Sequence, residues 1–393
     1  MPVRTLFALV LAVSSATAQP TSTRWALSDR VDEVLADEDF RTARWGVHVA
    51  DLESGEVLYS RNAYASFIPA SNMKLVTTAV ALEALGASHR FETRLYAIGE
   101  VAYGTLSGSL VLRGSGDPAF EGRRSRSELR ELFQSWAAAL RDRRIRAVLG
   151  PLLVADDAVE DPDPYAARLL AETLRDDGVS LVDPTVIVLS RRQVPDFEAL
   201  EPLATYRSAP LSEYVRLTNE DSDNAYAERL LLAAAAQVYG GPAPREVRAA
   251  AVGSLLRRLG VDPRTVVVDD GSGLSRDNQL TPSGIVELLA VMWRHPLPAT
   301  RAAFVGSLPV GGRTGTLRRR YRAGDARGNV RAKTGYIRGV RTLSGYVTTA
   351  SGRDLAFSIL CNGYEVRTGR VNRAQDAVVE LLADFEGRRT VGG

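Results

Sequence analysis

The chain has 49 lysine and arginine residues, and only two of them are lysine: Lys74 in "PASNMKL" and Lys333 in "VRAKTGY". Arginine stays protonated in proteins, whereas lysine sheds its proton when it is desolvated or crowded by other cations. A chain that uses arginine almost everywhere therefore marks both lysines as candidates for proton transfer. Lys74 follows Ser71 by three residues. On a helix that S-x-x-K spacing puts hydroxyl and amine on one face, about one turn apart. A serine becomes a nucleophile when a base in contact takes its proton, and a neutral lysine can be that base. A helix start also favours a developing anion, through its free N–H groups and its dipole. Taken alone, the same Ser71 reads as an ordinary N-cap.

Lys333 opens the tripeptide Lys333-Thr334-Gly335 within an apolar strand pattern. Its amine and the Thr334 hydroxyl can together hold a carboxylate. Glycine at 335 leaves room for another backbone to come close. The charge on Lys333 is also expected to help depress the pKa of a nearby Lys74. A third cluster, Ser222-Asp223-Asn224, opens a strongly helical stretch. Serine can relay a proton there and asparagine can hold a carbonyl, although an N-cap cluster has the same composition. The three motifs stand in the order S-x-x-K, S-D-N, K-T-G, at residues 71, 222 and 333. Each pattern is weak alone; the ordered combination, with the chain's two lysines in two of the three, is specific.

The elements that must position them follow from the apolar periodicities. "WGVHVADLESGEVLYSRNA" alternates around a turn and predicts a β-hairpin. "SNMKLVTTAVALEALGA" predicts a helix with Met73, Val76, Val80 and Leu85 on its apolar face, stopped by Gly86. Strand and turn patterns begin near residue 92, followed by a helix over "SRSELRELFQSWAAALRDRRI" and a strand at "AVLGPLLVADD". Further helices are expected at "DPYAARLLAETLRDDGV", "DNAYAERLLLAAAAQVYG", "PREVRAAAVGSLLRRLG" and "TPSGIVELLAVMWRH". Three apolar strands and a helix end the chain. The expected fold class is α/β (α+β): an antiparallel sheet flanked by helices, carrying a small inserted α+β domain. The expected organisation is a signal peptide at 1–18, a main domain at 19–91 and 159–393, and a shortened insertion at 92–158.

The N-terminus supports the first of these. Arg4, the apolar run 5–13 and Ala16-Thr17-Ala18 have the form of a secretory signal. The run is too short for a transmembrane anchor. No cysteine follows it, which argues against a lipid anchor. A net charge of +2 with mixed signs gives no reason to expect nucleic acid as a partner. Cys361 is the single cysteine, so no intramolecular disulfide forms, and its apolar surroundings predict a buried strand residue. His48, His89 and His295 have no metal-type spacing, and no metal or organic cofactor is expected.

The ordered motifs resemble the penicillin-binding protein and serine β-lactamase superfamily. Wider stretches narrow the match: "FIPASNMKLVTTA", "GSGDPAF", "DDGSGLSRDNQLTP", "SLPVGGRTGTLRRR" and "AKTGYIRGVRTLSGYV". These resemble the D-alanyl-D-alanine carboxypeptidase/endopeptidase family of class C, low-molecular-mass penicillin-binding proteins (peptidase family S13, the penicillin-binding protein 4 type). The resemblance implies the transpeptidase-like fold and a periplasmic serine DD-peptidase acting on peptidoglycan stem peptides, with β-lactam antibiotics as covalent inhibitors. It implies Ser71 as the acylated nucleophile, Lys74 as its base, Ser222 as proton relay and Asn224 as a positioning group. It implies Lys333 and Thr334 as the carboxylate pocket, with Gly335 beside them and the N–H groups of Ser71 and Tyr336 as the oxyanion hole. Arg276 and Asp156 match positions near the pocket for the peptide's side chain.

The chain departs from the family pattern at several points. Tyr336 replaces a common Ser or Thr, Asp221 stands where a basic residue is frequent, and Thr314 replaces a common Asp. Glu160 stands where an aromatic residue is expected, and the insertion is short for the family. A pared-down member with altered specificity is the resulting expectation. A β-lactamase or related D-amino-peptide hydrolase, and a weakly active peptidoglycan-binding protein, are the alternatives that the residues leave open.

Overall fold

The structure, a computed structural model, describes residues 21–120, 125–197 and 199–386. The expected signal segment lies outside them. Five antiparallel strands form the main sheet, in the spatial order Arg331–Ile337, Val340–Thr348, Asp354–Asn362, Arg44–Asp51, Val57–Arg61. The predicted hairpin and the three C-terminal strands therefore meet in one sheet. Val47 lies opposite Ile359 and Val49 opposite Phe357. Both faces of this sheet are covered, which explains why its strands read as nearly continuous apolar runs. Helices Thr21–Leu35 and Thr368–Ala383 cover one face, burying Val31, Val371 and Val378 against Trp45, Phe357 and Cys361. Helix Pro282–Trp293 covers the other, packing Ile285 and Leu289 toward Ala356 and Leu360.

Helix Met73–Leu85 runs through the middle of the second layer. Every residue from Met73 to Leu82 is buried, so over those ten residues the helix has no solvent face. Helices Leu211–Glu220, Asn224–Tyr239, Arg245–Leu259 and Pro298–Gly306 surround it. Gly86, at φ +83°, ends it as expected, and its N–H donates to Leu82 O at 2.9 Å. The first and last of the surrounding helices, like Thr21–Leu35, have no counterpart among the expected elements.

A second sheet interrupts this layer. Arg90–Ala102 and Thr105–Gly114 form an antiparallel hairpin, and strands Leu152–Asp156 and Val186–Val188 then add in parallel. Parallel neighbours need crossovers. Helices Arg126–Asp142 and Tyr165–Asp176 supply them, burying Phe133, Trp136, Leu170 and Leu174 against Leu110, Leu112 and Val154. Strand Ala204–Pro210 returns to pair with Arg90–Ala102. The sheet thus draws on residues 90–210, beyond the 92–158 expected from sequence. Val186–Val188 has three residues, and within Ala204–Pro210 only Ser208 is buried. Their local pattern is that of a loop, and pairing with distant strands makes them part of the sheet.

One buried ion pair ties the hairpin turn to the main sheet. Arg353 Nε donates to Asp51 Oδ2 at 2.8 Å, with both side chains almost fully buried. Asp51 also accepts from the Ser54 amide at 2.7 Å and the Ser54 hydroxyl at 2.8 Å. Burial pushes its carboxyl up, but the Ser54 amide, Arg353 and the Ser54 hydroxyl outweigh that and hold it below the usual aspartate value. Arg353→Ala strands the Asp51 charge and is expected to cost about 3 kcal/mol at pH 7, measured by urea unfolding. Because the folded-state pKa is depressed, the pair's contribution is present above the unfolded value of 3.8 and is lost as pH falls through the folded value. The gap between wild type and variant should narrow below that pH.

Candidate active site

Ser71 lies in a short 3-10 turn, Ala70–Asn72, that leads into helix Met73–Leu85. It is not the N-cap, a position Asn72 occupies. The Asn72 side chain faces the sheet: its Nδ2 donates to Lys333 O at 2.8 Å and its Oδ1 accepts from Ser344 Oγ at 3.0 Å. Thr342 Oγ1 donates to Pro69 O at 2.9 Å. The serine turn is in this way bound to the K-T-G strand and its neighbour. Gly335 permits the approach. A Cβ there would stand 2.1 Å from Thr342 Oγ1 and 3.0 Å from the Ser71 nitrogen. Strand Arg331–Ile337 ends the sheet, with Val340–Thr348 as its only full-length partner. Its outer edge can take an extended peptide as an added strand.

Lys74 is completely buried, with 0% exposure. Its Nζ lies 3.1 Å from Ser71 Oγ, 2.7 Å from Asn224 Oδ1 and 2.6 Å from Ser272 O. An ammonium has three donors, and each has an acceptor here. As a neutral amine, Lys74 keeps two N–H bonds for Asn224 and Ser272 and turns its lone pair to the Ser71 hydroxyl. Burial lowers its pKa to about 8, against the opposing charges of Glu228 and Asp270. The same side chain can therefore accept a proton near neutral pH and hold it afterwards.

The Ser272 carbonyl is a ligand that the sequence reasoning missed. Glu228 positions it, accepting from the Ser272 amide at 2.8 Å and the Gly271 amide at 3.1 Å. Thr77 Oγ1 donates to Gly271 O at 2.7 Å from the buried helix. Asp270 then takes the Gly273 and Ser275 amides, both at 2.6 Å. The stretch "DDGSGLSRDN" signalled this loop as a whole, but no local pattern singles out a backbone carbonyl.

Ser222 and Asn224 arrive from the opposite side. Asp223 caps helix Asn224–Tyr239, accepting from Tyr226 N at 3.0 Å. Ser222 sits at φ +61°, which is unfavourable for a residue with a side chain. The backbone reverses there between two buried helices, and Gly315 of the neighbouring loop packs onto Glu220 O, where a Cβ would come within 2.4 Å.

Lys333 is also at 0% exposure, and its Nζ donates to Thr334 O at 3.1 Å. Burial first, then the Lys74 charge, holds it well below the usual lysine range. The expectation that Lys333 depresses Lys74 is corrected here, since burial is what lowers Lys74. Thr334 Oγ1 donates to Thr316 Oγ1 at 2.8 Å, which brings in the 315–317 turn. Tyr336 is 55% exposed at the edge of the strand, with the Arg341 guanidinium 5.9 Å from its ring centroid.

The outlying residues divide. Arg276 is exposed and donates to Arg338 O, just past the K-T-G strand, so it borders the same edge. Asp156 does not join the group. Its carboxylate accepts from the Gly116, Ala158 and Val159 amides at 3.1, 2.8 and 3.1 Å, all within the second sheet's unit. Burial raises it to about 6. Gly116 abuts Ala233, nine residues along the helix from Asn224, or about 13 Å along its axis. Neither cavity that Asp156 lines includes Ser71, Lys74, Ser222, Asn224 or Lys333.

A serine turn at a buried helix, two buried lysines and an open antiparallel edge define a serine acyl-transfer enzyme of the penicillin-binding protein and β-lactamase fold. The D-Ala-D-Ala carboxypeptidase 3 (S13) family matches residues 27–159 and 155–385, and the chain belongs to that family of serine-type peptidases. It is 30% identical to a D-alanyl-D-alanine carboxypeptidase of Actinomadura sp. (strain R39), across 98% of this chain and 89% of that one. It is 31% identical to the carboxypeptidase DacB of Mycolicibacterium smegmatis, across 92% and 85%. Among solved structures it resembles penicillin binding protein 4 of Haemophilus influenzae, with a TM-score of 0.74 and 22% identity over 88% of this chain and 97% of that one.

Because the chain has two lysines, lysine-selective 13Cε labelling should give two resonances. One should titrate near pH 8 and disappear in Lys74→Met, and the other should titrate below the usual lysine range. Glu228→Gln removes a charge that favours the Lys74 ammonium, and should move the first midpoint down.

Proposed function

We propose that the protein is a periplasmic serine DD-peptidase that hydrolyses the bond after the penultimate D-alanine of peptidoglycan stem peptides. The Ser71–Lys74 contact, completed by Asn224 and Ser272, carries the reading. The stem peptide lies along strand Arg331–Ile337, its terminal carboxylate between Lys333 and Thr334. Its scissile carbonyl points to the N–H groups of Ser71 and Tyr336, which stabilise the developing oxyanion. Ser71 Oγ attacks the carbonyl carbon while Lys74 takes the hydroxyl proton. The C–N bond then breaks, and the leaving amine receives that proton through Ser222. Water attacks the resulting ester, with Lys74 again as base, and releases the acid and free Ser71. Asn224 holds Lys74 and the substrate amide. Arg276 borders the acyl side of the strand, whereas Asp156, bonded inside its own unit, takes no part in these steps.

No metal or organic cofactor enters this scheme. A β-lactam presents a strained amide and a carboxylate to the same groups, so it acylates Ser71 and leaves an ester. The Haemophilus influenzae protein has been solved in complex with a β-lactam. Among the described residues no helix is long and apolar enough to cross a membrane.

Intact-protein mass after mixing with benzylpenicillin tests the scheme. Wild type should gain one drug mass, and Ser71→Ala none. Lys74→Arg should acylate about 1,000-fold more slowly, since arginine cannot become the neutral base. The acylation rate should rise about tenfold per pH unit below the Lys74 value of about 8 and level off above it. A rate independent of pH across that range would remove Lys74 from the role.

A further inference from the structure

Between residues 313 and 331 the chain carries seven arginines and a single acidic residue, Asp325. This segment closes on itself: the Gly311 amide donates to Val330 O at 2.9 Å and the Gly328 amide to Gly311 O at 2.8 Å. Leu317 and Tyr321 are buried beneath it. Arg320 pairs with Asp376 of the terminal helix. Arg318, Arg319 and Arg322 are exposed, and none of them forms an ion pair with a described residue. A buried framework thus holds three unpaired guanidinium groups on a fixed turn.

That turn begins at the active site. Thr316 Oγ1 meets Thr334 Oγ1 at 2.8 Å, and Arg318 and Arg319 follow two and three residues later. At 3.8 Å between successive Cα atoms, their Cα atoms lie at most about 8 and 11 Å from that of Thr316. The screening length at physiological salt is about 8 Å, so these arginines act on charges that come close to the turn itself. The carboxylate held by Lys333 and Thr334 belongs to the leaving amine. Because Thr316 touches Thr334, the arginine-bearing turn lies next to the pocket from which any group attached to that amine extends. A single D-alanine has nothing more to present there. An acidic peptide, released when a cross-link between two stem peptides is cut, presents further carboxylates.

We propose that the arginine-bearing turn over residues 316–322 selects acidic peptide leaving groups, so that the enzyme favours cross-linked stem peptides over those that release one D-alanine. The inference rests on the DD-peptidase reading above. The bond broken and the proton transfers are the same for both substrates, and only the released amine differs.

The test is the variant with Arg318→Gln, Arg319→Gln and Arg322→Gln combined, all at exposed positions. Three substrates with a common acyl half are compared by kcat/KM: an acidic cross-linked stem-peptide dimer, the same dimer with its outlying carboxylates amidated, and an acyl-D-Ala-D-Ala. The variant should lose about tenfold on the acidic dimer and less than about twofold on the other two. Wild type should also lose activity on the acidic dimer alone as salt rises from about 50 to about 500 mM. Equal losses on both dimers, or no loss on the acidic one, would overturn the proposal. So would unchanged selectivity together with lost binding to phosphatidylglycerol vesicles, which would make the turn a membrane-docking surface. Benzylpenicillin acylation has no peptide leaving group and separates the two readings. If wild type acylates normally, a negative result counts against the turn; if it does not acylate, the DD-peptidase reading falls and takes this one with it.

Discussion

A lysine amine buried without water must have its charge compensated inside the protein, and the rest of this molecule is arranged around that need. An unpaired ammonium in such a place costs several kcal/mol. Lys74 meets it with three acceptors drawn from three separate parts of the chain: Ser71, Asn224 and Ser272. The compensation is partial, which leaves the pKa near 8 and the proton mobile. Full pairing with a carboxylate would have made a better structural lysine and a poorer base. Glu228 and Asp270 make no hydrogen bond to Nζ; their charges favour its ammonium through space, and their bonds to the 271–275 amides fix the loop whose carbonyl Lys74 touches.

The same demand explains the central helix. A residue is sealed from solvent on a helix only when neighbours surround it on every side, and helix Met73–Leu85 is wrapped in this way. The wrapping helices deliver the other functional groups as they pack. The junction between Leu211–Glu220 and Asn224–Tyr239 carries Ser222 and brings Asn224 onto Lys74. The sheet edge closes the remaining side, held by Asn72 and Thr342 against the serine turn. Packing and catalysis therefore share one set of contacts. A change at Asn72 or Gly335 would move the reacting groups while leaving their identities intact.

The inserted unit shows the opposite relation. Its sheet has its own core of Phe133, Trp136, Leu152 and Leu170. Asp156 fixes a turn through three amides, and Asp157 pairs with Arg113 at 3.0 Å. It packs against the outer end of helix Asn224–Tyr239, about 13 Å from Asn224 along that axis. The reacting groups belong to the main domain, and the charge at the leaving side comes from the main domain's 313–331 segment.

What the sequence determined by itself was local or compositional. Two lysines among 49 basic residues, three short motifs in order, and the 3.6-residue periods of Arg126–Asp142 and Asn224–Tyr239 are legible because each lies within one window of chain. The role of Gly335 was readable too, since a glycine inside an apolar strand marks a close approach. Tertiary structure decided the rest. The carbonyl of Ser272 has no side-chain signature, and it reaches Lys74 only because a loop 198 residues away is folded over it. Strand Ala204–Pro210 buries only Ser208 and joins the sheet through its pairing with Arg90–Ala102. Asp156 matched a motif, but a motif records residue types and not distance, and the packing of a separate core placed it away from the site. The lowering of Lys74 is likewise a property of burial, which no spacing of charges along the chain encodes.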